Sequence, residues 1–96
     1  METGKQSNRV IVTVLGKDQI GIIAWVAGRL AEYNANILDI SQTIVREFFT
    51  MIMIVDLSPA TIEVAELAKL LAEEGQERRL QVNVQHEDVF AYMHRI

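Results

Sequence analysis

The sequence contains no cysteine, a single proline and no long run of apolar or basic residues. Without cysteine, the chain forms no disulfide, thiolate metal site or cysteine nucleophile. No apolar run approaches the roughly 20 residues that span a bilayer, and residues 1–8 lack the apolar stretch of a secretory signal. With a net charge of −4, the protein's own field opposes binding to a phosphate backbone. These absences predict a cytoplasmic protein that binds neither nucleic acid nor a membrane.

The remaining composition describes one small domain. Half of the 96 residues are hydrophobic, and no linker or low-complexity tract divides them. We therefore expect a flexible tail over residues 1–8 and a single domain over residues 9–96. A chain of this size buries little more than half of its unfolded surface, so leftover apolar surface favours a homodimer or larger homo-oligomer.

Apolar periodicity predicts four strands and three helices. Alternating or β-branched runs indicate strands over residues 10–15, 37–45, 48–57 and 80–85. Helical spacing runs from Ile22 to about Asn34, and from a cap at Ser58 or Thr61 to about Glu74, where Gly75 ends the helix. Asp88 caps a short amphipathic helix over residues 88–95. The order predicts an α+β, ferredoxin-like βαββαβ fold. It has an antiparallel four-stranded sheet, two helices on one face and an added C-terminal helix.

Two features of this arrangement predict association. Trp25 lies about 120° from the centre of the apolar stripe of the first helix, as a partly exposed rim residue or a subunit contact would. The third strand is apolar on both faces, so the sheet face away from the helices has an apolar centre with polar margins. We expect a partner or the C-terminal helix to cover part of it.

The segment Gly16-Lys17-Asp18-Gln19-Ile20-Gly21 joins the first strand to the first helix. The first N–H groups of a helix lack partners within it and can hold a small anion such as a carboxylate. The alternative is that the glycines only allow a tight turn and close packing. A nucleotide phosphate loop is excluded, because Ile22 and Ile23 stand where lysine and Ser/Thr are required.

Nothing in the sequence favours catalysis, a cofactor or a metal. His86 and His94 lack the three or four converging ligands of a metal site. The RNA-binding, metal-carrying and acyl-phosphate-hydrolysing proteins of this topology would need a basic aromatic face, Cys-x-x-Cys or a glycine- and arginine-bearing loop, respectively. The acidic, cysteine-free chain matches none of these patterns.

Residues 10–22, with Asp18-Gln19-Ile20-Gly21-Ile22, resemble the first strand and Asp-x-x-Gly-Ile loop of the ACT domain, a regulatory module that binds small molecules. Residues 30–40 and 48–51 are similar to the ACT domains of glycine-cleavage repressors and formyltetrahydrofolate deformylases, and stand-alone ACT proteins are similar over residues 9–86. The resemblance implies an amino acid held between subunits, with Asp18 on its amine, N–H groups from Gln19 to Ile22 on its carboxylate, and Asn36 contributed by the neighbour. Many family members have proline where this chain has Ile20, which leaves the loop less rigid.

The expected ligand-binding and interface residues form two sets. The ligand-binding set is Gly16, Asp18, Gln19, Ile20, Gly21, Ile22 and Asn36, and the interface set is Trp25, Ile37 and Asp39. The function expected from them is non-enzymatic sensing of an amino acid at a dimer interface. The alternative is a ligand-free module that docks onto a metabolic enzyme or regulator.

Overall fold

The computed structural model describes residues 8–93, which form the expected βαββαβ fold with a third helix added. The elements in chain order are β1 (Arg9–Lys17), α1 (Ile22–Glu32), β2 (Asn36–Val45), β3 (Phe48–Asp56), α2 (Val64–Glu77), β4 (Leu80–His86) and α3 (Glu87–Met93). Within this part of the chain, no helix has the length and apolarity needed to cross a membrane. The tail at residues 1–7 and the end of the expected C-terminal helix, residues 94–95, lie outside the described residues.

The four strands form one antiparallel sheet in the order β2-β3-β1-β4. The hairpin between β2 and β3 closes through Arg46 and Glu47, as the sequence predicts, and Arg46 adopts φ 59°. This order places β1 and β3 in the centre and leaves β2 and β4 as edges. Sheet centres suit the β-branched and apolar sequences of β1 and β3, since both neighbours then satisfy the backbone and side chains pack on each other.

The core lies between the sheet and one helical layer. Alternate residues of the central strands turn towards the helices, and each of these is almost fully buried: Val10, Val12, Val14, Phe49, Met51, Met53 and Val55. The helices contribute Ile22, Val26 and Leu30 from α1 and Leu67 and Leu71 from α2. Buried strand residues, which recur every two positions, therefore pack in one layer against buried helix residues, which recur about every four positions.

Helix α2 differs from the sequence prediction at both ends. It starts at Val64 rather than directly after a cap at Ser58 or Thr61, because Glu63 and Glu66 form a reciprocal capping box at that point. It also continues through Gly75 to Glu77. Gly75 is needed for close packing rather than termination, since a Cβ there would lie 2.7 Å from Val82 Cγ2 and 3.2 Å from the Leu80 carbonyl oxygen.

The edge strand β2 contains a bulge that the sequence does not reveal. Register with β3 shifts between Ile37 and Asp39, so Ile37 and Ile40 both lie on the helix face. Beyond the bulge, Gln42 and Ile44 share that face while Asp39, Ser41 and Thr43 share the opposite one, as the alternation predicts.

Helix α3 packs on the sheet face opposite α1 and α2, against β1 and β4. It starts at Glu87, one residue before the expected cap, and the Asp88 N–H donates to His86 Nδ1 at 3.1 Å. An ion pair joins Arg9 Nε to Glu87 Oε1 at 2.6 Å. Ile11 is buried although it belongs to this face, so α3 provides part of the expected cover. The rest of this face, referred to below as the open face, stays exposed.

Candidate functional site

The strand before the candidate loop is longer than the sequence predicts. β1 continues to Lys17, and Gly16 is a strand residue opposite Phe49 and Leu80. A Cβ on Gly16 would lie 2.7 Å from Leu80 Cδ2 and 3.1 Å from the Arg79 carbonyl oxygen. Gly16 therefore allows close approach of the β4 backbone and precedes the loop rather than lying in it.

The connection itself spans Asp18 to Gly21 and is attached to the rest of the domain at two points. The Asp18 N–H donates to the Glu47 carbonyl oxygen at 2.7 Å, which ties the connection to the β2–β3 hairpin. The Gln19 side-chain Nε2 donates to the Arg78 carbonyl oxygen at 3.0 Å, just after α2. Between them and the helix, the Ile20 side chain is fully exposed.

Helix α1 begins without a side-chain cap in the described structure. Its N-cap residue is Gly21 at φ 90°, a conformation that other residues seldom adopt. The Trp25 N–H donates to the Gly21 carbonyl oxygen at 2.9 Å, so the N–H groups of Ile22, Ile23 and Ala24 precede the first intrahelical hydrogen bond. Such groups carry the positive end of the helix dipole and suit a carboxylate.

A cavity of about 340 Å³ lies beside this helix start. Its lining includes four of the expected ligand-binding residues, Asp18, Gln19, Gly21 and Ile22. Asp18 is the charged residue of the lining. The cavity thus combines one carboxylate with uncapped backbone N–H groups, the complement of an ammonium and a carboxylate on one small molecule.

Three of the expected ligand-binding residues do not line this cavity: Gly16, Ile20 and Asn36. Asn36 starts β2 opposite Asp56, whereas the cavity adjoins the other end of that strand, where Ile44 faces Phe49. Within one chain, Asn36 is therefore far from Asp18. Its predicted role as a contribution from a neighbouring subunit stays a prediction.

The structure adds five residues to the cavity that sequence reasoning missed: Ile23, Ala24, Gln42, Ile44 and Phe49. Gln42 could have been identified from the sequence, because this residue interrupts an otherwise apolar row on β2 and places an amide towards the helix layer. Contact between this row and the start of α1 depends on the order of the strands in the sheet. The spacing of residues within one segment does not reveal that order.

The expected interface residues lie on two separate surfaces. Ile37 and Asp39 flank the bulge of edge strand β2. Trp25 points instead towards α2 of its own chain, where its Nε1 donates to Glu74 Oε1 at 2.8 Å and the Arg78 guanidinium carbon lies 4.3 Å from its ring centroid. The ring is half-buried because α2 packs beside α1, so its predicted role in assembly stays a prediction.

Glu74 is the centre of a charged cluster between α1 and α2. Arg29 Nε donates to both of its carboxylate oxygens, at 2.9 and 3.1 Å, and a further Arg29 nitrogen contacts Oε2. Hydrogen bonds from Arg29 and then Trp25 lower the pKa of Glu74 to about 2, and the same carboxylate raises the pKa of Arg29. The cluster joins the two helices. Among the described residues, no group of three or more His, Cys, Asp or Glu side chains forms a candidate metal site.

Comparison with known proteins agrees with this architecture. The ACT domain family model matches residues 8–85. A UPF0237 protein of Methanocaldococcus jannaschii is 56% identical over 89 residues, which cover 93% of this chain and 99% of the relative. The solved ACT domain protein from Streptococcus pneumoniae is 38% identical with a TM-score of 0.76, over 88% of this chain and 96% of that one. A putative glycine cleavage system transcriptional repressor shares the fold at 22% identity and a TM-score of 0.72, over 84% of this chain and 46% of its own.

Proposed function

Because the chain belongs to the ACT domain family, we propose that it is a regulatory protein that senses a free amino acid in the cavity beside the α1 start. ACT domains are generally regulatory modules that bind small molecules. The observation that carries the proposal is the uncapped first turn of α1 next to the Asp18 carboxylate in one cavity. In this proposal the protein acts in the cytoplasm and without catalysis.

The two ends of an amino acid match the two kinds of group in the cavity. Backbone N–H groups of Ile22, Ile23 and Ala24 receive the carboxylate, and Asp18 receives the ammonium group. The remaining wall contains Ile44 and Phe49 together with the Gln42 amide, so the ligand side chain meets a mostly apolar surface. An aliphatic amino acid then buries its side chain favourably, whereas a charged side chain loses hydration without an opposite charge.

The proposed dimer uses the outer edge of β2. This strand exposes Leu38, Ile40, Ile44 and Val45, and Asp39 is its single charged residue. Long apolar edge strands commonly pair with another chain. If the full strand Asn36–Val45 pairs antiparallel about a two-fold axis, Asn36 of the partner subunit lies opposite Val45, next to the cavity. The partner then completes the site, as the family resemblance implies.

Calorimetry with the twenty amino acids tests the ligand. We expect heat of binding from one amino acid or a few related aliphatic ones. Asp18→Asn should weaken that binding at least tenfold, because a charge-assisted hydrogen bond to the ammonium group is lost. Glu47→Gln is the matched control, since Glu47 is an exposed carboxylate of the adjacent hairpin that does not line the cavity. A ligand whose binding survives unchanged in both Asp18→Asn and Gly21→Val would show that this cavity is not the site.

Sedimentation velocity tests the assembly. We expect a dimer at micromolar concentration, and Ile40→Glu should shift it towards the 10.9 kDa monomer by placing a charge in the paired edge. Val89→Glu, at an exposed apolar position on α3, is the control and should leave the dimer intact. A stable monomer at all concentrations would contradict the proposed pairing.

A second candidate function is a ligand-free docking module, and the same exposed edge favours it. An extended segment of an enzyme or regulator can add to β2 as a fifth strand. If none of the twenty amino acids gives heat of binding and the monomer binds such a segment through β2, this function is supported over sensing.

A further inference from the structure

The open face carries a second cavity, of about 480 Å³, which is within the usual range for small-molecule sites. The sheet forms its floor and Phe90 of α3 forms a wall. It is separate from the proposed amino-acid site, because the sheet lies between them. The neighbouring residues Phe49 and Thr50 of β3 line the two cavities from opposite faces.

Among the described residues, those that line this second cavity are uncharged but rich in hydrogen-bonding groups. Thr13 and Thr50 supply hydroxyls, and Asn83 and Gln85 supply amides. Each of these groups both donates and accepts. Phosphates, zwitterions and metal ions would lose hydration here without any opposite charge in the lining. The chemistry therefore favours a neutral ligand whose edge carries donors and acceptors.

The apolar part of the lining adds a requirement for shape. Leu15 and Ile52 on the floor are 49% and 39% exposed, and the Phe90 ring stands beside them. A flat ring covers such a floor and gains contact with an aromatic side chain. Thr13 is the cross-strand partner of Ile52 on one side and of Asn83 on the other, so one row across the sheet places an apolar side chain beside two polar ones.

From this combination, we propose that the open-face cavity binds an uncharged aromatic heterocycle of nucleobase size. The ring lies over Leu15 and Ile52 against Phe90, and its polar groups pair with the Thr50 hydroxyl on one side of the ring and with the Asn83 amide on the opposite side, across β1. A second sheet is a poorer occupant, because sheets pack about 10 Å apart and α3 stands on β1 and β4, where such a sheet would lie.

An NMR titration of the ¹⁵N-labelled protein with the neutral nucleosides adenosine, guanosine, cytidine and uridine tests this proposal. At least one of them should give saturable shifts at Thr13, Leu15, Thr50, Ile52 and Asn83. The corresponding monophosphates should bind more weakly, because the lining residues within the described range carry no positive charge. Asp18→Asn should not change nucleoside binding, which separates this site from the proposed amino-acid site.

Two variants remove single hydrogen-bonding groups from exposed side chains. Asn83→Ala and Thr50→Val should each weaken nucleoside binding about fivefold, the usual effect of one net hydrogen bond. Ser41→Ala is the control, because Ser41 belongs to the same cross-sheet row as Asn83 but lies outside the cavity.

Four results would overturn the proposal. The first is the absence of saturable shifts up to the solubility limit of every nucleoside. The second is equal binding of indole with no effect of Asn83→Ala, which would leave only an apolar patch. The third is tighter binding of the monophosphates at the same residues. The fourth is a set of open-face shifts that depends on protein concentration and not on nucleoside, which would show that a second copy covers the face.

Discussion

Replacing Glu74 by glutamine tests whether the charged cluster between α1 and α2 stabilises the domain. The carboxylate accepts hydrogen bonds from Trp25 Nε1 and from the Arg29 guanidinium, and its side chain is 19% exposed. Glutamine keeps the size of the side chain but removes the charge, and it leaves one of these donors facing an amide N–H₂ group. The substitution therefore isolates the charge from the packing.

The size of the effect follows from the pKa of Glu74. Its fall from 4.5 to about 2 corresponds, at about 1.36 kcal/mol per pKa unit, to an upper limit of about 3 kcal/mol. Water reaches this pair, since the Arg29 side chain is 33% exposed, and solvent screening reduces the contribution. We expect Glu74→Gln to lower the free energy of unfolding by about 1–2 kcal/mol at pH 7.

The pH dependence has a definite sign. The folded pKa is below the unfolded one, so the stabilisation is complete above pH 4.5 and is lost as the pH falls towards 2. Urea unfolding of both proteins at pH 7 and at about pH 2.5 measures this. The gap between wild type and Glu74→Gln should shrink at the lower pH, while the control Glu73→Gln, at an exposed position of the same helix, should stay within about 0.5 kcal/mol of wild type at pH 7. Equal stability of Glu74→Gln and wild type at pH 7, or a gap that does not change with pH, would refute this reasoning.

Three further substitutions concern packing, and their effects are measured by the same urea titrations at pH 7. Gly28→Ala should raise the free energy of unfolding by about 0.5–1 kcal/mol, because a Cβ at this position of α1 would have no neighbour within 4 Å. Gly16→Ala should lower it by about 1–3 kcal/mol, because the added Cβ would clash with Leu80 and the Arg79 carbonyl. A stabilising effect of Gly16→Ala would contradict the close approach of β4. Met53→Ala should lower it by about 2–5 kcal/mol, because Met53 is completely buried between sheet and helices; a loss below 1 kcal/mol would mean that the core collapses around the gap.

Most of the fold could be predicted because the strands follow simple alternation. The buried row of β3, from Phe49 to Val55, and the wet side of β4 were both confirmed. The predicted start of α2 was wrong because Ser58 and Thr61 are both strong local cap signals, whereas the cap that forms uses the Glu63–Glu66 pair. Local cap preference alone does not decide where a helix starts, because tertiary context overrides it.

The candidate site was only partly predictable, because some of its residues come together through contacts distant in sequence. Asp18, Gln19, Gly21 and Ile22 are contiguous, so a motif could find them. Gln42 and Phe49 reach the cavity through strand pairing, which depends on contacts distant in sequence. The burial of Trp25 likewise depends on α2, because the periodicity of α1 describes one helix and not the helix that packs beside it.

The hydrogen bonds that hold the connection between β1 and α1 have a consequence for signalling. With Asp18 tied to the Glu47 carbonyl and Gln19 tied to the Arg78 carbonyl, a ligand meets a segment that is already ordered. Binding then costs little conformational entropy. It also causes little local movement that another molecule could recognise. If the ligand is held between two subunits, as we propose, its binding instead shifts the equilibrium between monomer and dimer. The ligand concentration at which the protein responds would then fall as the protein itself becomes more abundant in the cell.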